Sequence, residues 1–448
     1  MARWFMWMGA FWLPLVNLPT KNEIIISKKF MTMHRNIFFY LLTGILAISC
    51  SSAPEVTLQV TNPMNQMRSD AIILLSRGEL SRWFDIPGDQ LPVLTDLQGD
   101  YIPCQADDLD GDGRWDELFA LNTMEPKASQ KIVIKFVLPE EYPVFPDRTN
   151  LHLGDAENNY QKLNSAQRLE GISYHNYSGI TEAAFQMEGA AWENDRVGFR
   201  NYMDQRNGMD IFGKTTTAMV MDGVGMKGEP SYHEPGEWGM DVLKVGTSLG
   251  AGGIAYMYND SLYRVGDNGS GSYDVVFRGP LRSRFNLSYT DWSLEDHTLN
   301  VVHQIDIIAG RHCYQSNVIY NGMEESMALV PGIVNMKSKE LHLSKLNDQY
   351  TALITFDHQS EDGSLLAMAL VVANPYLKSY GETRNEGEGI IQTYYALLDA
   401  FPGESIPYRF YALWEHQDPK WSSLEEITNY LKTEAERWTQ SIVYTSQH

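Results

Sequence analysis

"SRFNLSYTDW" (283–292), "LNVVHQIDII" (299–308) and "RHCYQSNVIY" (311–320) follow one another and set the reading of the fold. In the first, Phe285, Leu287 and Tyr289 alternate with Arg284, Asn286 and Ser288. The second puts Leu299, Val301, His303, Ile305 and Ile307 on one face; the third does so with His312, Tyr314, Ser316, Val318 and Tyr320. Strand side chains alternate between faces, so a period of two argues for antiparallel strands. The short polar turns "LEDH" and "AGRH" join them. "YTALITF" (350–356) and "LLAMALVVANPY" (365–376) continue the pattern, predicting a long antiparallel meander to residue 376.

Working outward, "KIVIKFVL" (131–138) reads as a mostly buried strand. One clear helix follows late, in "SSLEEITNYLKTEAERWTQSI" (422–442). Ser422 or Ser423 caps it, and Leu424, Ile427, Tyr430, Leu431, Ala435 and Trp438 form one apolar stripe, expected against a sheet edge. The fold class is therefore mostly β, in stacked antiparallel sheets. Polar, turn-rich sequence near 140–170 marks a boundary. It divides an N-terminal β region (51–140), read as a small sandwich, from a larger β region (141–448) that ends in the helix.

Of the 448 residues, 43% are hydrophobic, enough for a sizeable core, and 11 are Trp and 24 Tyr. Such aromatics fill β cores and also line sugar clefts. The net charge of -22 argues against nucleic acid, whose binders need a basic face. It leaves room for an anionic sugar held by a local cluster of Arg and Lys.

"MHRNIFFYLLTGILAISCSS" has the build of an export signal: a basic start at His34 and Arg35, an apolar run from Ile37 to Ile48, then small residues before Cys50. The spacing is that of a bacterial lipoprotein signal over 31–50, with Cys50 carrying the lipid and anchoring the protein to the outer membrane. A plain cleaved signal is the alternative. Residues 1–30 lie upstream of this signal, and the true start is expected at Met31 or Met33. Cys104 and Cys313 are then left to form a disulfide or to remain buried thiols.

"DLDGDGRWD" (108–116) places Asp108, Asp110 and Asp112 at alternate positions and Gly113 at a sharp turn. With the Arg114 carbonyl and Asp116, it predicts a structural calcium loop. A solvated Asp-Gly turn is the plain alternative. No organic cofactor is expected.

Residues 174–246 hold the densest polar and aromatic chemistry, including Trp192, Glu193, Arg200, Tyr202, Asp210, Lys214, Tyr232, His233, Glu234, Trp238 and Asp241. Long loops with such side chains on a β scaffold are usual places for function. Structural readings stand beside this one: Trp192 and Trp238 as core, His303 as a satisfied core histidine, and His175 and His312 undecided.

The stretches "QADDLDGDGRWDEL", "WENDRVGFRNY", "MDIFGK", "YHEPGEWGMDVLKVG", "GAGGIAY", "GPLRSRF" and "YALWE", together with Asn62, Pro63 and Arg68, resemble a family of exported Bacteroidota proteins known as domain of unknown function 4861. The resemblance spans about 55–440 and implies a mutarotase-like antiparallel β-supersandwich. It also implies an oligosaccharide dehydratase, acting on the non-reducing-end uronic acid of an anionic, ulvan-like oligosaccharide and leaving a 4,5-unsaturated uronate.

That chemistry needs the proton α to a carboxylate. Arg200 and Lys214 are expected to neutralise the carboxylate. His233, tuned by Glu234, is expected to take the proton. Tyr202 or Tyr232 would protonate the departing hydroxyl. Trp192 and Trp238 would stack on sugar, with Glu193, Glu234 and Asp241 as polar contacts. Two alternatives remain: a glycoside hydrolase drawing two carboxylates from Glu193, Asp210, Glu234 and Asp241, and a non-catalytic surface glycan-binding lipoprotein. The sequence is silent on oligomeric state.

Overall fold

The computed structural model describes residues 55–83, 85–168 and 183–447. The export signal, Cys50 and His175 lie outside them.

Among the described residues the fold is mostly β, and its paired strands are antiparallel. Its backbone is a nine-stranded sheet in the order 165–167, 270–277, 282–294, 297–308, 313–321, 406–414, 366–373, 350–357 and 342–345. The three opening stretches form consecutive strands Arg282–Leu294, His297–Ile308 and Cys313–Asn321. The long meander, however, stops there. The next strand, Met327–Val334, joins another sheet, and Ile406–Trp414 takes the vacated edge beside Cys313–Asn321. Alternation fixes which face of a strand is buried but carries no information on which neighbour it pairs with.

Two five-stranded sheets cover the inner face. One runs 261–264, 251–258, 327–334, 393–400, 377–382; the other runs 239–241, 209–214, 197–202, 189–194, 149–152. They meet where Met209 bridges Gly250, so together they form the second layer of a β-supersandwich. The main core lies between the layers. Phe285, Leu287, Val301, Ile305, Tyr314 and Val318 from the large sheet meet Trp192, Phe199 and Ile211 from one cover and Tyr256, Leu329 and Leu398 from the other.

The helix Leu424–Thr439 begins at Ser423, whose hydroxyl accepts from the Glu426 N–H. It packs on the outer face of the large sheet, against Ala352, Ala369, Tyr411 and Leu413, and not along an edge. Strands alternate, so residues such as Tyr411 and Leu413 form a second apolar face that needs its own cover.

The N-terminal region builds its own small core between a sheet of 443–447, 56–61, 129–137, 91–95, 101–102 and one of 68–76, 117–124, 104–107. Buried charge docks it to the large sheet. Arg282 holds Asp107 through Nε at 3.1 Å and reaches Glu117 at 2.9 Å, while Gln105 Oε1 accepts from the Leu281 and Arg282 N–H groups. Burial pushes the Asp107 carboxyl up despite Arg282. Cys104 and Cys313 are separate buried thiols, so the disulfide alternative is not realised.

Candidate functional site on the outer face of a cover sheet

The sheet of 149–152, 189–194, 197–202, 209–214 and 239–241 has one face in the core and one turned outward. Its register aligns His152, Ala191, Arg200 and Asp210 in one row, and Asn150, Glu193, Gly198, Phe212 and Asp241 in the next. Residues 215–238, with little regular structure, roof this outward face: Met221, Val224 and Tyr232 pack on Ala191 and Phe212. Polar groups are thereby buried, and buried polar groups must find partners.

Arg200 is the centre. Its guanidinium bonds Asp210, Asp241 Oδ2 at 3.0 Å, Tyr202 OH at 3.0 Å, Tyr232 OH at 3.2 Å and the Met187 carbonyl at 3.0 Å. Tyr202 also donates to Asp210 at 2.8 Å. Burial alone would lower the Arg200 pKa, but the surrounding Tyr and Asp groups raise it well above normal. Burial drives the Asp241 carboxyl the other way, well up, and Asp210 adds to this while Arg200 opposes it. Burial likewise raises both tyrosines, Tyr202 well above its usual range.

His233 stands at the outer edge of this cluster. Its side chain is 60% exposed, and Nδ1 lies 3.4 Å from Asp241 Oδ2. Its ring lies 4.3 Å from that of Tyr232, centroid to centroid. The site floor is strained. Met187 and Glu188 both adopt left-handed φ, +54° and +63°, a pair of conformations that non-glycine residues rarely take. This kink aims the Met187 carbonyl at Arg200 and Glu188 at Arg206.

Several expected roles need correction. Arg200 is 1% exposed and its terminal nitrogens are engaged by Asp210, Asp241, two tyrosines and the Met187 carbonyl, so it is out of reach of a substrate carboxylate. Lys214 and Glu193 are sealed against each other: Lys214 Nζ donates to Glu193 Oε2 at 2.5 Å, and both side chains are fully buried. Glu193 Oε1 accepts from the Val220 and Met221 N–H groups at 2.8 Å each, tying down the roof. Burial lowers the Lys214 pKa, with Glu193 opposing. Trp192 points to the opposite face, into the core against Phe199, Phe285 and Tyr314. Asp241 is buried and serves Arg200 and His233 rather than solvent.

Tyr202 and Tyr232 join the cluster. Glu234 is exposed, and Trp238 is partly exposed beside Phe212. His303 is a core histidine held by Ser316 and Tyr408, and His312 is buried against Tyr430.

Sequence reasoning did not find Glu188, Arg206 or the His152–Asp222 pair. Arg206 lies over the Tyr202 ring at 4.1 Å, and Arg200 lies over the same ring at 4.6 Å. His152 Nδ1 faces Asp222 at 3.1 Å, and Lys162 reaches Asp222 at 2.9 Å. Burial would raise the Asp222 carboxyl, but its bonds to His152, Lys162 and Asn150 hold it well below the usual range. The one available signal was strand parity: His152, Arg200 and Asp210 share a face once the register is known.

In the acidic loop, carboxylate oxygens of Asp108, Asp110 and Asp116 converge within 4.8 Å. Asp112 lies outside this group, correcting its expected role; its Oδ1 accepts from the Arg114 N–H at 2.8 Å. Both Asp108 oxygens accept loop N–H groups, from Gly111 and Gly113 at 2.8 Å each. A three-carboxylate set fits a hard cation that completes its shell with water.

Among known proteins, "Uncharacterized protein P7" of Formosa agariphila is 28% identical over 152 residues, covering 30% of this chain and 38% of that protein. The chain thus spans well under two thirds of that relative. A glycosyl hydrolase family 38 protein from Enterococcus faecalis superposes with a TM-score of 0.43 at 8% identity, covering 88% of this chain and 47% of that one. A putative aldose 1-epimerase from Klebsiella pneumoniae gives a TM-score of 0.30 at 9% identity, covering 63% and 96%. The family model described as "Domain of unknown function (DUF4861)" matches residues 60–443, and the chain belongs to that family.

Proposed function

We propose that this protein is a carbohydrate-active carbon–oxygen lyase, a dehydratase that removes water from the non-reducing-end uronic acid of an anionic, ulvan-like oligosaccharide. The observation that carries the reading is the exposed His233 imidazole set against buried Asp241. With Nδ1–H directed at Asp241, Nε2 is the basic atom of the ring. Asp241 is held in place by Arg200, which Asp210 also bonds, so the carboxyl facing His233 is fixed. So fixed, Asp241 orients the imidazole that takes the C5 proton. The C5–H electron pair becomes the C4–C5 double bond, and the C4–O bond breaks. Tyr232, protonated and ring to ring with His233, gives its proton to the departing hydroxyl, which leaves as water. Proton return from His233 to Tyr232 restores the site.

Hydrolysis by paired carboxylates fits less well. Glu193, Asp210 and Asp241 are buried in ion pairs, which denies them the approach to sugar that an acid and a base need. The same reading includes export as an outer-membrane lipoprotein anchored through Cys50.

The test is to incubate the purified protein with uronic-acid-ended oligosaccharides and weigh the products. Loss of one water without chain cleavage is expected. Gain of water with cleavage would mean hydrolysis, and binding without change would mean a glycan-binding protein; either outcome overturns the proposal.

A further inference from the structure

With Arg200 and Lys214 both neutralised inside the protein, the anionic group of a substrate needs another cation. A cleft of about 280 Å³ opens beside the Tyr202–Gly208 turn, lined by Gln205, Arg206, Thr247, Leu262, Arg264 and Ile390 and also by Asp267, whose Oδ1 is taken by Trp292 Nε1 at 3.0 Å and Asn268 at 2.8 Å. Its size is near the lower end of small-molecule sites, about 300 Å³, which suits one sugar unit rather than a long chain. Leu262 and Ile390 give it an apolar wall; Gln205 and Thr247 bring an amide and a hydroxyl.

Arg264 is the unusual member. Nη1 donates to the carbonyls of Arg206 at 2.6 Å and Ser248 at 3.1 Å, and Nη2 donates to the Thr247 carbonyl. These three bonds fix the side chain, yet no carboxylate touches it among the described residues. Nε makes no hydrogen bond among the described residues, so the side-on edge of the guanidinium keeps a free donor. Such an edge matches two oxygens of a carboxylate or a sulfate. Burial pushes the Arg264 pKa down to about 10, and the charges of Asp267 and Asp204 oppose this without forming an ion pair with it. Arg206, in contrast, is already paired with Glu188 and Asp204. It connects the cleft to the cluster, because its guanidinium lies over the Tyr202 ring whose hydroxyl bonds Arg200 and Asp210.

We propose that this cleft is an oxyanion subsite in which Arg264 grips a carboxylate or sulfate of a bound sugar side-on. The sugar identity rests on the dehydratase reading; the anion site stands on the cleft alone.

The experiment is calorimetric titration of the full chain at constant ionic strength with inorganic sulfate, glucuronate and, as a neutral control, glucose. Saturable binding of sulfate or glucuronate but not glucose is expected; the tighter of the two names the natural group. Arg264→Gln should weaken it by about tenfold or more. Should Arg264→Gln fail to fold, Thr247→Trp, at an exposed position, fills the cleft with Arg264 in place and should abolish binding. No binding of either anion, or binding unchanged in Thr247→Trp, overturns the subsite. The dehydratase reading is judged separately: anion binding without water loss from any uronic-acid-ended oligosaccharide leaves the subsite standing and sinks that reading.

Discussion

Asp241 Oδ2 lies 3.4 Å from His233 Nδ1 and, on its other side, 3.0 Å from Arg200 Nη2. One buried carboxyl thus connects an exposed imidazole to a buried guanidinium. If this contact orients the base, Asp241→Asn should lower kcat by about 10² to 10⁴ with little change in KM. Steady-state kinetics at constant pH check it. A KM effect with unchanged kcat would assign Asp241 to binding instead.

Trp192 and Trp238 should separate stability from binding. Trp192→Ala removes a fully buried ring that touches Phe199, Phe285 and Tyr314, and should cost about 3–5 kcal/mol in denaturant unfolding. Trp238→Ala, at a partly exposed position, should cost far less and reveal any sugar contact as weaker binding. Equal stability losses would contradict the assignment of faces.

Stability should fall in mild acid because of His303 and His312. Burial holds both imidazoles neutral, their pKa values pushed down from 6.5 to about 3, with Arg196 and Lys420 adding to the effect at His312. Below pH 6.5 the unfolded chain binds protons that the folded chain refuses. Each histidine should therefore cost about 1.4 kcal/mol per pH unit on the way down. Above that pH the effect is absent. Unfolding curves from pH 7 to pH 4 for the wild type and His303→Gln measure it, and the variant should show a shallower slope.

Much of the fold was legible because alternation survives wherever one strand face meets core and the other is polar. Phe285, Leu287 and Tyr289 are buried as their spacing demands. The site sheet obscures this signal. Strands 189–194, 197–202 and 209–214 are buried on both faces, so Trp192 and Arg200 look alike in sequence while pointing oppositely. Residues of "WENDRVGFRNY" that suggested chemistry partly do structural work: Asn194 bonds the Ile308 and Arg311 carbonyls at 2.7 Å each, and Asp195 pairs with Arg148. Arg264 gave no sequence signal, since its value comes from three carbonyls brought from 206, 247 and 248.

The acidic loop should act as a brace. Calcium should raise Tm in the wild type, and Asp110→Asn should abolish that gain while leaving the rate of a folded sample unchanged. Asp112→Asn should keep most of the gain, because Asp112 lies outside the converging oxygens. Differential scanning calorimetry with calcium and with chelator checks both. Loss of activity in a still-folded, calcium-free protein would place the loop in catalysis.

The most direct measurement is the initial rate of unsaturated-uronate formation by wild type and His233→Ala, on samples shown to share one Tm. His233 is 60% exposed, so its removal should leave stability nearly unchanged. The rate should fall by about 10² to 10⁴. A His233→Ala protein as active as the wild type would contradict the account.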